Sequence, residues 1–353
     1  MRSETVAGRS ASSRSATPVW YTPVRSTCAF SLSSPPSDLG LITILEGRRI
    51  IALVPSYNEA AHVGGVVRTM PAFVDAIVVV DDCSADDTSA AALEPGDSRV
   101  VLLRHDVNQG LGASLIDAHK RALELGGDIM VVMAGDGQMD PAFLPALLDP
   151  ILHHGYDFSK GNRFFTTSSF EGMPFVRTFG NIVLTFMTKM ATGYWDLFDP
   201  QNGYTAITRH MSERVDWDAI ARDYSFENDV LAALGLLRAR VCDVDIPAVY
   251  GEEISDIKLS KTVPHLLRTL RRAFWRRFWL QYVVRSFAPV ALFAMFGALM
   301  LLWAFAFGVW VVLQRVHGIT PSTATVMIDV LPLQFGFMLV LAAFVLDIMN
   351  APK

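Results

Sequence analysis

Charged side chains are what this sequence has least of. Asp, Glu, Lys and Arg make up 18% of its 353 residues, against 51% apolar. Soluble domains run at about a quarter charged, so the shortage excludes a chain that is soluble throughout and points to a membrane part. Cysteine is scarce too. Cys28, Cys83 and Cys242 lie far apart and form no CxxC or metal-ligand spacing. That excludes a disulfide framework and suits a reducing cytoplasm for the soluble part. An excess of positive charge is also missing. The formal net charge of −5 excludes nucleic acid as the main partner. The first 45 or so residues are poor in acids and carry no long apolar run, which excludes a secretory signal peptide. Their Ser, Arg, Pro and Thr read as a disordered tail or an upstream extension, a composition that organellar transit peptides share.

What the chain does contain, from Arg49 to about Asp245, is an alternation of short apolar runs and amphipathic segments. The runs Ile50–Val54, Ala76–Val80, Val100–Leu103 and Ile129–Met133 are rich in Val and Ile without polar alternation. That pattern predicts strands buried on both faces. Helices are expected near 59–70, 86–93, 111–126 and 141–153. The alternation predicts βαβ units and a mostly parallel sheet.

The C-terminal third changes character. Phe287–Leu313 is 27 residues without a charge, and about 20 suffice to span a bilayer core. A second candidate span runs from about Val326 to Met349, with Pro332 and Gln334 inside it and Asp329 and Asp347 towards its ends. Ahead of both lies His265–Arg285. There Arg268, Arg271, Arg272, Arg276, Arg277 and Arg285 interleave with Phe274, Trp275, Phe278, Trp279 and Tyr282. This predicts an amphipathic helix at the membrane interface, guanidinium groups on phosphates and rings at headgroup level. The loop between the spans carries only Arg315 and His317. The positive-inside rule therefore predicts a hairpin in the cell membrane with the large domain facing the cytoplasm.

The residues that carry chemistry sit where the apolar runs end. Pro55-Ser-Tyr57-Asn58-Glu59 follows the first run and Asp81-Asp82-Cys-Ser-Ala-Asp-Asp-Thr88 closes the second. Carboxylates and amides delivered to the carboxyl edge of a parallel sheet are placed where open α/β sheets bind ligands. Each motif alone also fits an ordinary helix cap or Asx turn, with Asp86 as a cap. Asn108-Gln-Gly110-Leu-Gly112 opens a helix, and helix N-termini attract anions. Ala134-Gly-Asp136-Gly-Gln138 ends the fourth run. Further on come Lys160-Gly-Asn-Arg163, Asp199-Pro-Gln-Asn-Gly203-Tyr204, Tyr224-Ser-Phe-Glu227-Asn-Asp229 and a segment from Ile246 to Lys258. Acids in the first turn of a helix, as at Glu227 and Asp229, also occur for helix-dipole reasons alone.

Taken in this order, these motifs resemble the family-2 glycosyltransferases of GT-A fold, and by architecture the polyprenyl-phosphate (dolichol-phosphate mannose synthase-like) enzymes among them. The resemblance covers about Arg49 to Lys261 plus the hairpin. It implies a tail over residues 1–47, a GT-A domain over 48–262, a juxtamembrane helix over 263–286 and a transmembrane hairpin over 287–350. It implies a nucleotide-sugar site at Pro55, Tyr57, Asn58, Glu59, Asp81, Asp82, Asn108 and Gly112. Asp136 and Gln138 would hold Mg²⁺ or Mn²⁺ against the donor diphosphate, where a hard cation neutralises the leaving group. The family usually has Asp-x-Asp here, and Ala134 replaces its first carboxylate. Arg163 and Lys258 would face phosphate, with Asp199 and Glu227 on the sugar and acceptor side. The implied partners are a nucleotide-sugar donor, a polyprenyl-phosphate acceptor and the membrane; a homo-oligomer is left open. Two other readings stay open. One is a transferase onto a sugar hydroxyl, with Glu227 or Asp229 as its base. The other is an inactive GT-A scaffold, motivated by Ala134.

Overall fold

The computed structural model describes residues 47–163, 175–246 and 259–352. The expectations for the N-terminal tail and for the segment that follows Ile246 through Lys258 lie outside the described residues. These residues form a seven-stranded sheet in the order β3-β2-β1-β4-β6-β5-β7. The strands are β1 (Ile50–Ser56), β2 (Ala76–Asp81), β3 (Val100–Arg104), β4 (Ile129–Val132), β5 (Phe158–Asn162), β6 (Thr205–Thr208) and β7 (Val241–Asp245). β1 pairs in parallel with both β2 and β4, and β5 with β7; β6 runs antiparallel to β4 and β5. Six strands therefore share one direction, and the carboxyl ends of β1, β2 and β4 lie side by side. This is the mostly parallel GT-A-type sheet that the sequence predicts.

Between the strands run α1 (Val63–Thr69), α2 (Thr88–Leu93), α3 (Leu111–Glu124), α4 (Leu144–His154), α5 (Phe175–Thr192) and α6 (Phe226–Leu237). One face of the sheet packs Ile50, Ala52, Ile77 and Val79 against Val63, Val67, Leu144 and Leu147. The other packs Ile51, Leu53, Val78 and Met130 against Leu115, Ile116 and Ala122 of α3 and Val230, Leu231 and Leu234 of α6. Each such side chain taken from water contributes about 1.5–3 kcal/mol. Burial on both faces holds for β1, β2 and β4. It fails for β3, whose residues are half-buried or exposed because it is the sheet edge.

After the sheet come α7 (Leu259–Arg277), a π-helical turn (Phe278–Val284), α8 (Pro289–Val316) and α9 (Thr323–Met349). The last two are long and apolar enough to cross a membrane and pair as a hairpin. They cross where a Cβ added at Gly297 would lie 2.9 Å from the Gly336 carbonyl oxygen, so their backbones touch. One expectation for α7 is corrected. Arg277 is not available to lipid phosphates: it is buried and bonds Asp347 near the end of α9 at 2.8 Å. A lone guanidinium cannot be buried cheaply, and this carboxylate neutralises it.

α5 carries a feature the sequence reading passed over. Phe179, Ile182, Val183 and Phe186 recur at helical spacing and are 40–58% exposed. Phe186 also meets Trp195 and Phe344 of α9, with ring centroids 6.1 and 6.3 Å away. The exposed apolar stripe is thus continuous with the hairpin.

Candidate active site

The loops after β1 and β2 are stitched together. Asn58 takes a left-handed backbone (φ 57°), which Asn tolerates better than most residues. Its N–H donates to Ser84 Oγ at 2.9 Å, its Oδ1 accepts from the Ala85 N–H at 2.9 Å, and the Glu59 N–H donates to Thr88 Oγ1 at 2.8 Å. Pro55 is buried within β1, whereas the Tyr57 ring is 51% exposed at the sheet edge. Asp86 accepts from the Thr88 N–H and hydroxyl and from the Ala60 N–H, while Asp87 occupies the formal cap of α2. The cap function expected of Asp86 is thus performed from one residue further out.

Asp81 and Asp82 are both buried at the end of β2. Burial opposes ionisation of Asp81, but hydrogen bonds from Ser84 and Ser89, with Arg104 nearby, outweigh it and hold its carboxyl below the usual range. Asp82 accepts from the N–H groups of Gln109 and Gly110 at 2.8 and 2.7 Å, and lies 2.7 Å from His105 Nδ1. The other ring nitrogen of His105 faces Asp117 at 3.1 Å. Asp82 thereby pins the Asn108–Gly110 turn to the sheet edge, leaving Asn108 exposed there. Nothing local in the sequence marks His105, because its carboxylate partners Asp82 and Asp117 lie on other parts of the chain. Gly112 has a packing reason. A Cβ there would meet the Arg222 carbonyl carbon at 2.6 Å, so α3 and the 221–222 backbone approach only because it is glycine.

Beyond β4, the Asp136 Oδ1 accepts from the Gln138 N–H at 2.9 Å, which tightens the turn. Tyr204, just before β6, ties this turn to the β6 side of the edge, its hydroxyl donating to the Asp140 carbonyl at 3.1 Å. Arg163, just past β5, grips Asp199 with Nε at 2.7 Å and Nη2 at 3.1 Å, a bidentate pair on a fully buried carboxylate. Glu227 opens α6. Burial, with the Asp223 charge nearby, pushes its carboxyl up to about 7. Burial also raises Asp229, while Arg272 and Arg276 of α7 pull it back. Among the described residues, the Asn58, Asp82 and Asp136 loops therefore share one edge. Arg163, Asp199 and Glu227 flank its β6 side.

Beneath Glu227 lies a cavity of about 20 Å³, room for about one water. Its lining includes His119, Lys160, Asn202, Trp217 and Glu227. His119 stacks on Trp217 at 4.1 Å, and burial drives its ring down to about 3, so it is neutral. Lys160 is also buried, 3.3 Å from Asp243, and belongs to the fold's interior.

Among the described residues no group of three His, Cys, Asp or Glu side chains is arranged to enclose a metal. The donor set at the β4 turn is one carboxylate and one amide oxygen. Mg²⁺ is commonly held by one or two carboxylates together with substrate phosphates, and Asp136 with Gln138 fits that pattern rather than an all-protein cage.

The comparisons with known proteins converge on this geometry. The sequence profile described as Glycosyl transferase family 2 matches residues 51–216. An uncharacterized protein of Methanocaldococcus jannaschii is 30% identical over 204 residues, 58% of this chain and 82% of its own. The UDP-N-acetylglucosamine–dolichyl-phosphate N-acetylglucosaminyltransferase of Methanococcus voltae is 27% identical, covering 58% and 86%. The undecaprenyl-phosphate mannosyltransferase of Micrococcus luteus is 28% identical, covering 60% and 88%. Among solved structures, the glucosyl-3-phosphoglycerate synthase of Mycobacterium tuberculosis with Mn²⁺, UDP and product superposes with a TM-score of 0.55. It is 20% identical, covering 70% of this chain and 88% of that one. The fold is of the GT-A type. The chain belongs to glycosyltransferase family 2 and is a glycosyltransferase.

Proposed function

We propose that this enzyme is anchored in the membrane by its hairpin and moves a sugar, with inversion, from a UDP- or GDP-sugar onto the phosphate of a polyprenol. The observation that carries this reading is where α7 lies. Its Arg272 and Arg276 are close enough to influence Asp229, and its His265 pairs with Asp223 at 2.8 Å. The mouth beside Glu227 is thus bordered by the basic helix that leads into the hairpin. A phosphate at the membrane surface would meet guanidinium groups at the rim of the sugar site. The exposed stripe of α5 would lie in the same interface. The two similar lipid-phosphate transferases support the acceptor class. The arginines of α7 support a domain on the cytoplasmic side.

The chemistry follows from charge. A phosphate oxygen attacks the anomeric carbon as the bond to the departing diphosphate breaks. The attacking phosphate is already anionic near pH 7, so no proton must be removed from it, and positioning with charge neutralisation does most of the catalysis. The edge loops of Tyr57, Asn58, Glu59, Asp81, Asp82 and Asn108 would receive the nucleoside. Asp136 and Gln138 would hold Mg²⁺ or Mn²⁺, which supplies positive charge to the leaving diphosphate. Asp199 fixes the Arg163 guanidinium on the side where phosphate arrives, and Lys258 would supply a further cation.

One observation favours a second reading. Glu227, poised near neutrality, is the base that a hydroxyl acceptor needs. The deciding experiment incubates the full chain in liposomes with Mg²⁺ or Mn²⁺, undecaprenyl phosphate and a panel of radiolabelled UDP- and GDP-sugars. Label in the organic phase that mild acid releases as free sugar supports the lipid-phosphate acceptor and names the donor. Donor binding without lipid label would sink it in favour of a hydroxyl acceptor.

A further inference from the structure

Four residues before Asp199, the chain is fastened to the end of the hairpin. Trp195 Nε1 donates to Asp347 Oδ2 at 3.1 Å, and its ring meets Phe344 edge-to-face at 4.9 Å. The Asp347 carboxylate is buried and also accepts from Arg277 at 2.8 and 3.0 Å and from the Tyr282 hydroxyl. Arg277 reaches on to cap α5, donating from Nη2 to the Met190 carbonyl at 2.9 Å. Gly193 makes the arrangement possible. Its φ is +84°, and a Cβ there would sit 2.7 Å from Arg277 Nη1. One carboxylate from α9 thus gathers the end of α5, the turn after it and the end of α7.

From Trp195 the path to the site is short and tied at each step. The Trp195 carbonyl accepts from Lys189 Nζ at 2.7 Å, and the same ammonium stands 4.0 Å above the Phe198 ring. The Phe198 N–H donates to Asp243 at 2.7 Å. Asp199 then grips Arg163. The two core clusters that cover the sheet contain no residue of α9, although Tyr194 and Leu197 belong to one of them.

We propose that Trp195, Arg277 and Asp347 are positioning residues, a latch by which the seated hairpin sets the Asp199–Arg163 pair for transfer. Donor binding, which uses the β1, β2 and β4 edge, does not pass through the latch. The inference rests on the reading of Asp199 and Arg163 as site residues, and its test separates the two.

The test uses the full chain in liposomes and compares wild type with Asp347→Asn and Trp195→Phe, with Asp347→Glu as the conservative variant. Three quantities are read: amide hydrogen exchange, UDP affinity, and turnover with the donor identified above. The expected result is faster exchange confined to Tyr194–Gly203, about tenfold, with β1, β2 and β4 unchanged. Turnover should fall about tenfold at unchanged UDP affinity, and Asp347→Glu should restore part of it. Unchanged exchange in the 194–203 segment overturns the latch. So does an increase spread evenly over the domain, which would mean general loosening. If the local exchange responds while wild type transfers no sugar to lipid, the latch stands and the lipid-phosphate acceptor falls.

Discussion

Replacing Glu227 with Gln tests both the electrostatics of the site and its chemistry. In the folded chain, burial and the nearby Asp223 charge raise this carboxyl from 4.5 to about 7. In the unfolded chain it ionises near its ordinary value, roughly 4.3. Between those values the folded state holds a proton that the unfolded state has released. Stability therefore falls as pH rises through about 4.5 to 7, and the loss is complete above about pH 8. About 2.5 pH units at about 1.4 kcal/mol each gives a ceiling of about 3.5 kcal/mol. Solvent reaching the half-buried mouth reduces that to about 1–3 kcal/mol. In a domain of this size, 1 kcal/mol moves the melting midpoint by about 2–4 °C. The Gln variant should therefore melt about 2–12 °C above wild type at pH 8 and within about a degree of it at pH 4. Tryptophan emission during heating, at one scan rate in one detergent, reads this at both pH values. Equal midpoints at pH 8, or a gain that does not depend on pH, would refute the argument. The same variant sorts the two acceptors. With a phosphate acceptor, turnover should stay within about tenfold of wild type; loss of a general base costs about 10²–10⁴-fold.

Asp136→Asn should cut transfer by about 10²-fold or more, the scale of losing a charge-stabilising group at the reacting centre, while the midpoint stays put because the residue is not core; activity near wild type would sink the metal assignment. Gly112→Ala should cost about 1–3 kcal/mol by overpacking against the Arg222 backbone, seen as a lower midpoint; an unchanged midpoint would mean the two segments part freely. Phe179→Glu with Ile182→Glu should raise the apparent KM for lipid acceptor about tenfold by expelling α5 from the interface, with the KM for donor unchanged. A matching rise in the donor KM would place the stripe elsewhere.

The parts of this protein that were legible in its sequence are those where one local pattern dictates one structure. The buried runs Ile50–Val54, Ala76–Val80 and Ile129–Met133 became β1, β2 and β4 because only a strand covered on both sides suits unbroken Val and Ile. The uncharged run after Ser286 became α8 for a similar reason. Position at strand ends made Asn58, Asp82 and Asp136 conspicuous. What stayed hidden depends on partners distant in sequence. Nothing local distinguishes Arg277 from Arg276, yet one is buried on Asp347, 70 residues away, and the other is exposed. His105 and His119 were likewise silent, since their roles depend on Asp82 and Trp217 across the fold. The stripe on α5 was readable as a helical spacing, but its exposure was not.

The crossing at Gly297 and Gly336 limits what the hairpin can do for its own product. Two helices whose backbones touch leave no lumen between them at the crossing. Among the described residues, the cleft that opens between them towards their loop is lined by apolar side chains and a single carboxylate, Asp329. A sugar phosphate carried through hydrocarbon needs polar groups along its whole route. A lipid-linked sugar made at the mouth beside Glu227 would therefore stay in the leaflet where it was made. On the function proposed above, the enzyme would load one face of the membrane, and delivery to the opposite face would fall to a separate machine.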